Sequence, residues 1–295
     1  MIFDTATATR RLEEKVKQAR AYDHIPSQLV DFLQKVHAAQ IAAQGEAVLV
    51  LPPDEDLASP DMRIQGAALW NRENFPYDAA QAQSLFTLLV ALTTELGGPM
   101  GEAAALVTKA LDAGELDVED AFGHLLHQDE EFFAQWAAKT PSAPHMMQFL
   151  TQASLAPSVA AAAESLARNL DPAAVWPHGH CPVCGSLPLV SELHAKEGQR
   201  FQICSFCQTS YRAKRIGCAF CGETDAKKLS FFTANGEKGF RVDACQTCKM
   251  YLKTSDFRAL DRTYMALWDD LLSISLDILA EKEGFKRPTP SGWGF

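Results

Sequence analysis

A chain of 295 residues, 47% of them hydrophobic, has the apolar content of one large or two modest globular domains. Its net charge of −10 argues against a general polyanion binder, and no stretch approaches the roughly 20 apolar residues that a membrane-spanning helix needs. The twin arginine Arg10-Arg11 is not followed by an apolar run, so it does not read as an export signal, and the cytoplasm is the compartment expected.

To about Asp171 the chain reads as helices with short breaks. Pro26-Ser27 opens an apolar stripe of Leu29, Leu33 and Val36 running to about Gln44. From Val48 to Asp61 the chain looks irregular, with Pro52, Pro53 and Pro60 breaking any regular element. Asp78 is an N-cap with Gln81 three residues on, and Leu85, Leu88, Leu89, Leu92 and Leu96 trace one helical face that Gly97-Gly98-Pro99 stops. Further helices are expected over 102–113 and 117–138, and one or two over 145–170 with an interruption near Pro157. Within the second of these, His124, His127 and Glu131 would share a helix face, a spacing that metal-binding helices use. No second helix offers a matching set, so solvated or capping roles are the expectation. The stretch from Asp171 to His180, with two prolines and a glycine, reads as a domain boundary.

All eight cysteines then follow in four Cys-x-x-Cys units: Cys181/Cys184, Cys204/Cys207, Cys218/Cys221 and Cys245/Cys248. A Cys-x-x-Cys turn presents two thiolates to one tetrahedral metal, and two turns close a four-sulfur site, so eight sulfurs read as two metal sites per chain. The spacing repeats, with 19 residues between the knuckles of the first pair and 23 between those of the second, which favours sequential pairing over a cross-brace. Gly185 and Gly222 trail the first knuckle of each pair, where a backbone with φ > 0 folds under the metal and turns N–H groups toward sulfur. Strand-like runs at 200–203 and 240–244 precede the second knuckles, Tyr211 and Tyr251 follow them, and Asn235-Gly236 is a hairpin-turn signal. In a reducing compartment ligation is favoured over disulfides. Four sulfurs do not distinguish zinc from iron. His178 and His180 flank Cys181 but are expected to be linker residues, because the sulfurs already fill both sites.

From His178 to Ser255 there are 11 Lys/Arg against 6 Asp/Glu, a local charge of +5, while the remainder carries −15. Each four-thiolate site with a divalent ion adds about −2, so the basic residues balance the metal sites. Leu260 to Glu283 is expected to be one last helix with Tyr264, Leu267, Trp268, Leu271, Ile274 and Ile278 along a face, and Lys286 onward has the composition of a mobile tail.

The knuckle Cys181-Pro-Val-Cys184-Gly185-Ser186 leading to Pro188, the three further Cys-x-x-Cys units and the closing 271–285 segment together resemble the formate dehydrogenase accessory protein family, FdhE. The resemblance covers nearly the whole chain in order and length. It implies a mainly α N-terminal domain (1–172), tandem rubredoxin-like or zinc-ribbon-like metal-binding units (178–216 and 217–258), a C-terminal helix (259–285) and a tail (286–295). It also implies a cytoplasmic, non-enzymatic assembly factor, with iron as the metal associated with the family and the catalytic subunit of formate dehydrogenase as partner. The carry-over by residue reaches the eight cysteines and nothing further; self-association as a homodimer stays open. Two alternatives are a metal-ribbon nucleic-acid binder, motivated by the +5 block, and a rubredoxin-like electron carrier.

Overall fold

Four aspartates open four helices: Asp4 accepts the N–H of Thr7, Asp78 that of Gln81, Asp117 that of Glu119 and Asp129 that of Glu131. In the computed structural model, which describes residues 3–234 and 238–293, these caps belong to α1 (Thr5–Ala19), α4 (Ala79–Leu96), α6 (Val118–Leu126) and α7 (Glu130–Lys139). The other helices of the N-terminal part are α2 (Ser27–Glu46), α3 (Pro60–Ile64), α5 (Gly98–Asp112) and α8 (Met146–Ala167). The chain divides into two compact units. One holds the residues up to Pro52, Arg72–Ala162 and the end from Gly292; the other holds Pro53–Asn71 and Ala163–Ser291.

The first unit is helical and packs as its periodicity dictates, with Leu33 and Val36 of α2, Leu85, Phe86 and Leu89 of α4, Val107 of α5 and Phe122 of α6 all buried. The edge of the Phe86 ring meets the Phe122 ring at 6.2 Å. Three expectations are corrected here. Leu88 is exposed, because Phe86 and Val90 rather than Leu88 complete the buried face of α4. The helix expected over 117–138 is two, since Gln128 takes a left-handed φ of 57° and Asp129 starts a new N-terminus. Pro157 does not interrupt α8. A proline there leaves the carbonyl one turn back, that of Ala153, without its N–H, and Gln40 Nε2 supplies the missing donor at 2.9 Å.

The second unit is built on one six-stranded sheet of β1 (Pro188–His194), β2 (Gln199–Cys204), β3 (Ser210–Arg212), β4 (Leu229–Phe232), β5 (Phe240–Cys245) and β6 (Tyr251–Ser255), in the order β3-β2-β1-β6-β5-β4. Neighbours are antiparallel except the central pair, where β1 and β6 run parallel through Ser191↔Thr254 and Glu192↔Ser255. Each cysteine repeat thus contributes a three-stranded meander to a shared sheet. The Asn235-Gly236 turn signal lies outside the described residues.

The closing helix is broken into α9 (Ala266–Leu272) and α10 (Ile274–Lys282) at Ser273, whose hydroxyl donates to the Asp269 carbonyl. The break turns the face, so Trp268 and Leu271 are buried while Ile278 is exposed. The segment from Lys286 to Thr289 is not loose. Lys286 accepts from Tyr251 N–H and donates to Lys249 O, Arg287 pairs with Asp270, and Thr289 donates to Pro188 O. Pro60 also starts an element, as the first residue of α3 behind the Ser59 cap.

Candidate metal centre

The two sets of four sulfurs are built alike. Cys181 and Cys184 sit on the loop before β1, Cys204 ends β2, and Cys207 lies in the turn to β3; Cys218, Cys221, Cys245 and Cys248 take the matching places around β4, β5 and β6. In the first knuckle of each set a cysteine N–H reaches across the turn, Cys181 to Ser186 O and Cys218 to Glu223 O, both at 2.8 Å. The glycine N–H closes the turn onto the carbonyl of Cys181 or Cys218, with φ of 78° at Gly185 and 73° at Gly222. The second knuckles use the same left-handed geometry without glycine, as Gln208 and Lys249 both have φ of 58°. Neither residue announces that conformation in the sequence.

Within each set the sulfurs lie within 4.8 Å of one another, in two clusters: Cys181, Cys184, Cys204, Cys207 and Cys218, Cys221, Cys245, Cys248. The closest approaches between knuckles are 3.6 Å (Cys181–Cys207), 3.4 Å (Cys184–Cys204), 3.6 Å (Cys218–Cys248) and 3.7 Å (Cys221–Cys245). A tetrahedron of sulfurs about 2.3 Å from a central ion has edges of about 3.8 Å, so each cluster has the size of a four-thiolate site. Backbone donors turn in as well. Val183 N–H points at Cys181 Sγ, Phe206 and Cys207 N–H at Cys204 Sγ, and Phe220 N–H at Cys218 Sγ, each at 3.4 Å.

The electrostatics fit a cation. Burial pushes the thiols of Cys181 and Cys207 well up. Burial also opposes charge on Cys184, but hydrogen bonds from the other three cysteines outweigh it and hold that thiol well down. In the second cluster burial raises Cys218, whereas Cys245, against its own burial, is held at about 7 by the N–H groups of Cys248 and Thr247. Four crowded thiolates repel one another, and a divalent ion at their centre relieves the conflict by offsetting about half of their charge.

The clusters differ in cover. All four cysteines of the first are buried, whereas Cys221 is exposed and Cys218 and Cys248 are half-exposed. The extra cover includes a segment that composition alone leaves unassigned: Leu69 N–H donates to Pro182 O at 2.8 Å and Trp70 N–H to Val183 O at 3.0 Å, sealing the first knuckle. The second set is tied by Glu223, which accepts from Thr247 Oγ1 and is held at about 2, chiefly by that bond. Its Ala219 lies so close to the linker that a Cβ on Gly179 would stand 1.7 Å from the Ala219 carbonyl oxygen. A chelator is therefore expected to strip metal in two phases, one equivalent quickly from the second cluster and one slowly from the first, with iodoacetamide reaching Cys221 first. Simultaneous loss of both equivalents in one phase would show that cover does not govern release.

His178 and His180 stay out of both clusters and face the carbonyls of Ile64 and Gly66. The His124, His127, Glu131 set does not converge. His124 Nδ1 lies 2.9 Å from Asp129 Oδ2 and stacks on Phe132, His127 Nδ1 meets Gly123 O, and Glu131 belongs to the next helix. No helix among the described residues is long and apolar enough to cross a membrane.

Residues 180–215 match the FdhE central domain and residues 216–292 the FdhE C-terminal domain. Curated relatives called Protein FdhE from Salmonella arizonae and Protein FdhE homolog from Enterobacter sp. strain 638 are each 29% identical over 265 residues, covering 88% of this chain and 80% of the relative. Residues 180–292 thus carry both FdhE domains, and similarity to FdhE proteins runs along most of the chain. The crystal structure of the FdhE protein from Pseudomonas aeruginosa has the same fold, with a TM-score of 0.64 over 99% of this chain and 97% of that one at 22% identity. In this chain that fold comprises a helical N-terminal part, a sheet with two four-cysteine clusters, and C-terminal helices.

Proposed function

We propose that this chain is a formate dehydrogenase accessory protein of the FdhE family and acts as a cytoplasmic, client-specific chaperone that holds the immature catalytic subunit during assembly. The observation that carries the reading is the match to FdhE proteins along most of the chain, joined to two closed four-sulfur sites. Four thiolates saturate a tetrahedral ion and leave no open position for substrate, so the ions, iron or zinc, serve structure rather than hydrolysis. In this reading the eight cysteines are the ligands, residues 1–172 face the client, 178–216 and 217–258 are the two metal modules, and 259–285 brace them. The −15 outside the cysteine block supplies long-range attraction for a basic client segment such as the arginine-bearing signal of an exported enzyme.

The experiment is capture of the purified client subunit by the metal-loaded protein, with and without the client's signal segment. A complex that weakens with salt and on removal of the signal is expected. Absence of any complex would overturn the chaperone reading, and unchanged binding without the signal would overturn the part played by charge. A second reading, electron transfer, is favoured by the exposure of Cys221, which brings the second cluster to the surface. A reversible change in visible absorption on reduction would support it, and a colourless zinc protein would remove it.

A further inference from the structure

We propose that one face of the sheet carries a binding site for a small oxyanion beside the second cysteine cluster, a site that stands whether or not the client reading holds. A cavity of about 160 Å³ opens there; Arg200, Gln202, Arg241 and Asp243 line it from the sheet, and Cys218 and Cys245 border it. The strand register brings these residues to one side: Ser191 pairs with Gln202 and with Thr254, and Thr254 pairs with Arg241. Arg200 lies across the middle strands, its Nη1 donating to Ser191 Oγ at 3.3 Å and its Nη2 pairing with Asp243 Oδ2 at 2.8 Å.

Two independent features of this floor point to a ligand. The first is unmet hydrogen bonding. Arg200 is 7% exposed and Gln202 is 4% exposed, yet the Nε–H of the arginine and the Oε1 of the glutamine reach no partner among the described residues. Native interiors rarely leave such groups unmatched, so an unmet donor and an unmet acceptor on adjacent same-face positions of one strand mark a place where something else binds. The second is charge. Asp243 is the one carboxylate lining the cavity, and the guanidinium groups of Arg200, Arg215 and Arg241 offset both it and the charge of about −2 on a metal-filled cluster at the border. It is already committed, accepting from Thr254 Oγ1 at 2.6 Å as well as pairing with Arg200. Arg241 Nε stands 3.0 Å from it without aiming its N–H at the oxygen, and the same guanidinium lies over the Phe231 ring.

Arginine clusters of this kind, with donors left over, recognise planar or tetrahedral oxyanions. The volume suits a phosphate, a sulfate or a carboxylate and excludes a nucleotide. Hydrogenphosphate satisfies the floor completely: its oxygens accept from Arg200 and Arg241, and its O–H donates to Gln202.

Titration of phosphate into the full-length, metal-loaded protein, followed by calorimetry, is expected to show saturable binding at one site. Parallel titrations with sulfate and acetate separate a tetrahedral ligand from a carboxylate, and saturation by any of the three supports an oxyanion site. Phe231→Glu places a carboxylate at the exposed lip and is expected to weaken binding by about tenfold or more, as is Arg241→Gln, while Phe231→Gln retains it. Metal content and melting curves verify that the variants keep the fold. No saturable binding by any of the three anions would show that water alone fills the cavity. Binding unchanged in both Phe231→Glu and Arg241→Gln would place the anion elsewhere. Either result overturns the proposal.

Discussion

Replacing Cys204 with alanine is expected to lower the metal content from two equivalents per chain to one and to open the unit that contains it. Cys204 is fully buried, its sulfur lies 3.4 Å from that of Cys184, and it receives the N–H groups of Phe206 and Cys207. Alanine therefore removes a ligand and strands two inward-facing donors. A structural zinc contributes an apparent ~10–16 kcal/mol in small metal-folded units, as much as the ~5–15 kcal/mol net stability of a whole domain. Cys221→Ala is expected to lose the same single equivalent with a smaller drop in melting temperature, since Cys221 is exposed. Metal analysis and thermal unfolding of the two variants check this together, and two equivalents retained in Cys204→Ala would sink the sequential assignment of the ligands.

The second large effect is expected at Asp270, which is 2% exposed. It sits between Lys253 of β6, 2.8 Å away, and Arg287 of the C-terminal segment, while Asp277 of α10 closes the network by taking Lys253 Nζ at 2.6 Å and Tyr251 OH at 2.7 Å. Asp270→Asn leaves two buried cations with one carboxylate fewer, a change that costs about 3–5 kcal/mol when a buried pair is broken on one side. Burial opposes the charge on Asp270, but Lys253 and Arg287 outweigh it and hold the carboxyl below its ordinary range. A carboxyl with a depressed folded-state value stabilises above its unfolded value, near 4, and loses that contribution as pH falls through the folded value. The stability gap between the parent and Asp270→Asn is thus expected to be full at neutral pH and to narrow below about pH 4. Urea melts across that range measure it, and a gap that widened on acidification would contradict the assignment of charge.

These effects also mark how far the sequence could be read. The cysteine pairing was legible, because four identical dipeptide spacings in two matched repeats leave little freedom in which sulfurs meet. The cap at Asp78 was legible for the same reason, as local chemistry set by adjacent residues. What was not legible depends on partners distant in sequence. Pro157 reads as a break until Gln40, more than a hundred residues earlier, supplies the donor for Ala153. The composition of 286–291 reads as loose until Arg287 finds Asp270. Val48 to Asp61 reads as irregular, yet Pro60 opens α3, and beyond it Leu69 and Trp70 cover the first knuckle through backbone N–H groups that every residue but proline has. The anion cavity is equally silent in the sequence, since Arg200 and Asp243 meet only when the two repeats share a sheet.

That shared sheet has a directional consequence. Its order is one meander, β3-β2-β1, followed by the equivalent meander, β6-β5-β4, and the junction joins the first strand of one repeat to the last strand of the other. The repeats are therefore related by translation, not by a two-fold axis, and the two outer strands are complementary to each other just as β1 is to β6. Head-to-tail stacking of this sort has no built-in end and, carried from molecule to molecule, would give a fibre. On the β3 side the linker prevents it: Trp176 N–H occupies Arg212 O at 2.8 Å, and Arg212 Nη1 reaches back to Ala173 O at 2.9 Å. The stretch from Ala173 to Trp176 is thus a terminator for a lattice that the cysteine repeat would otherwise propagate.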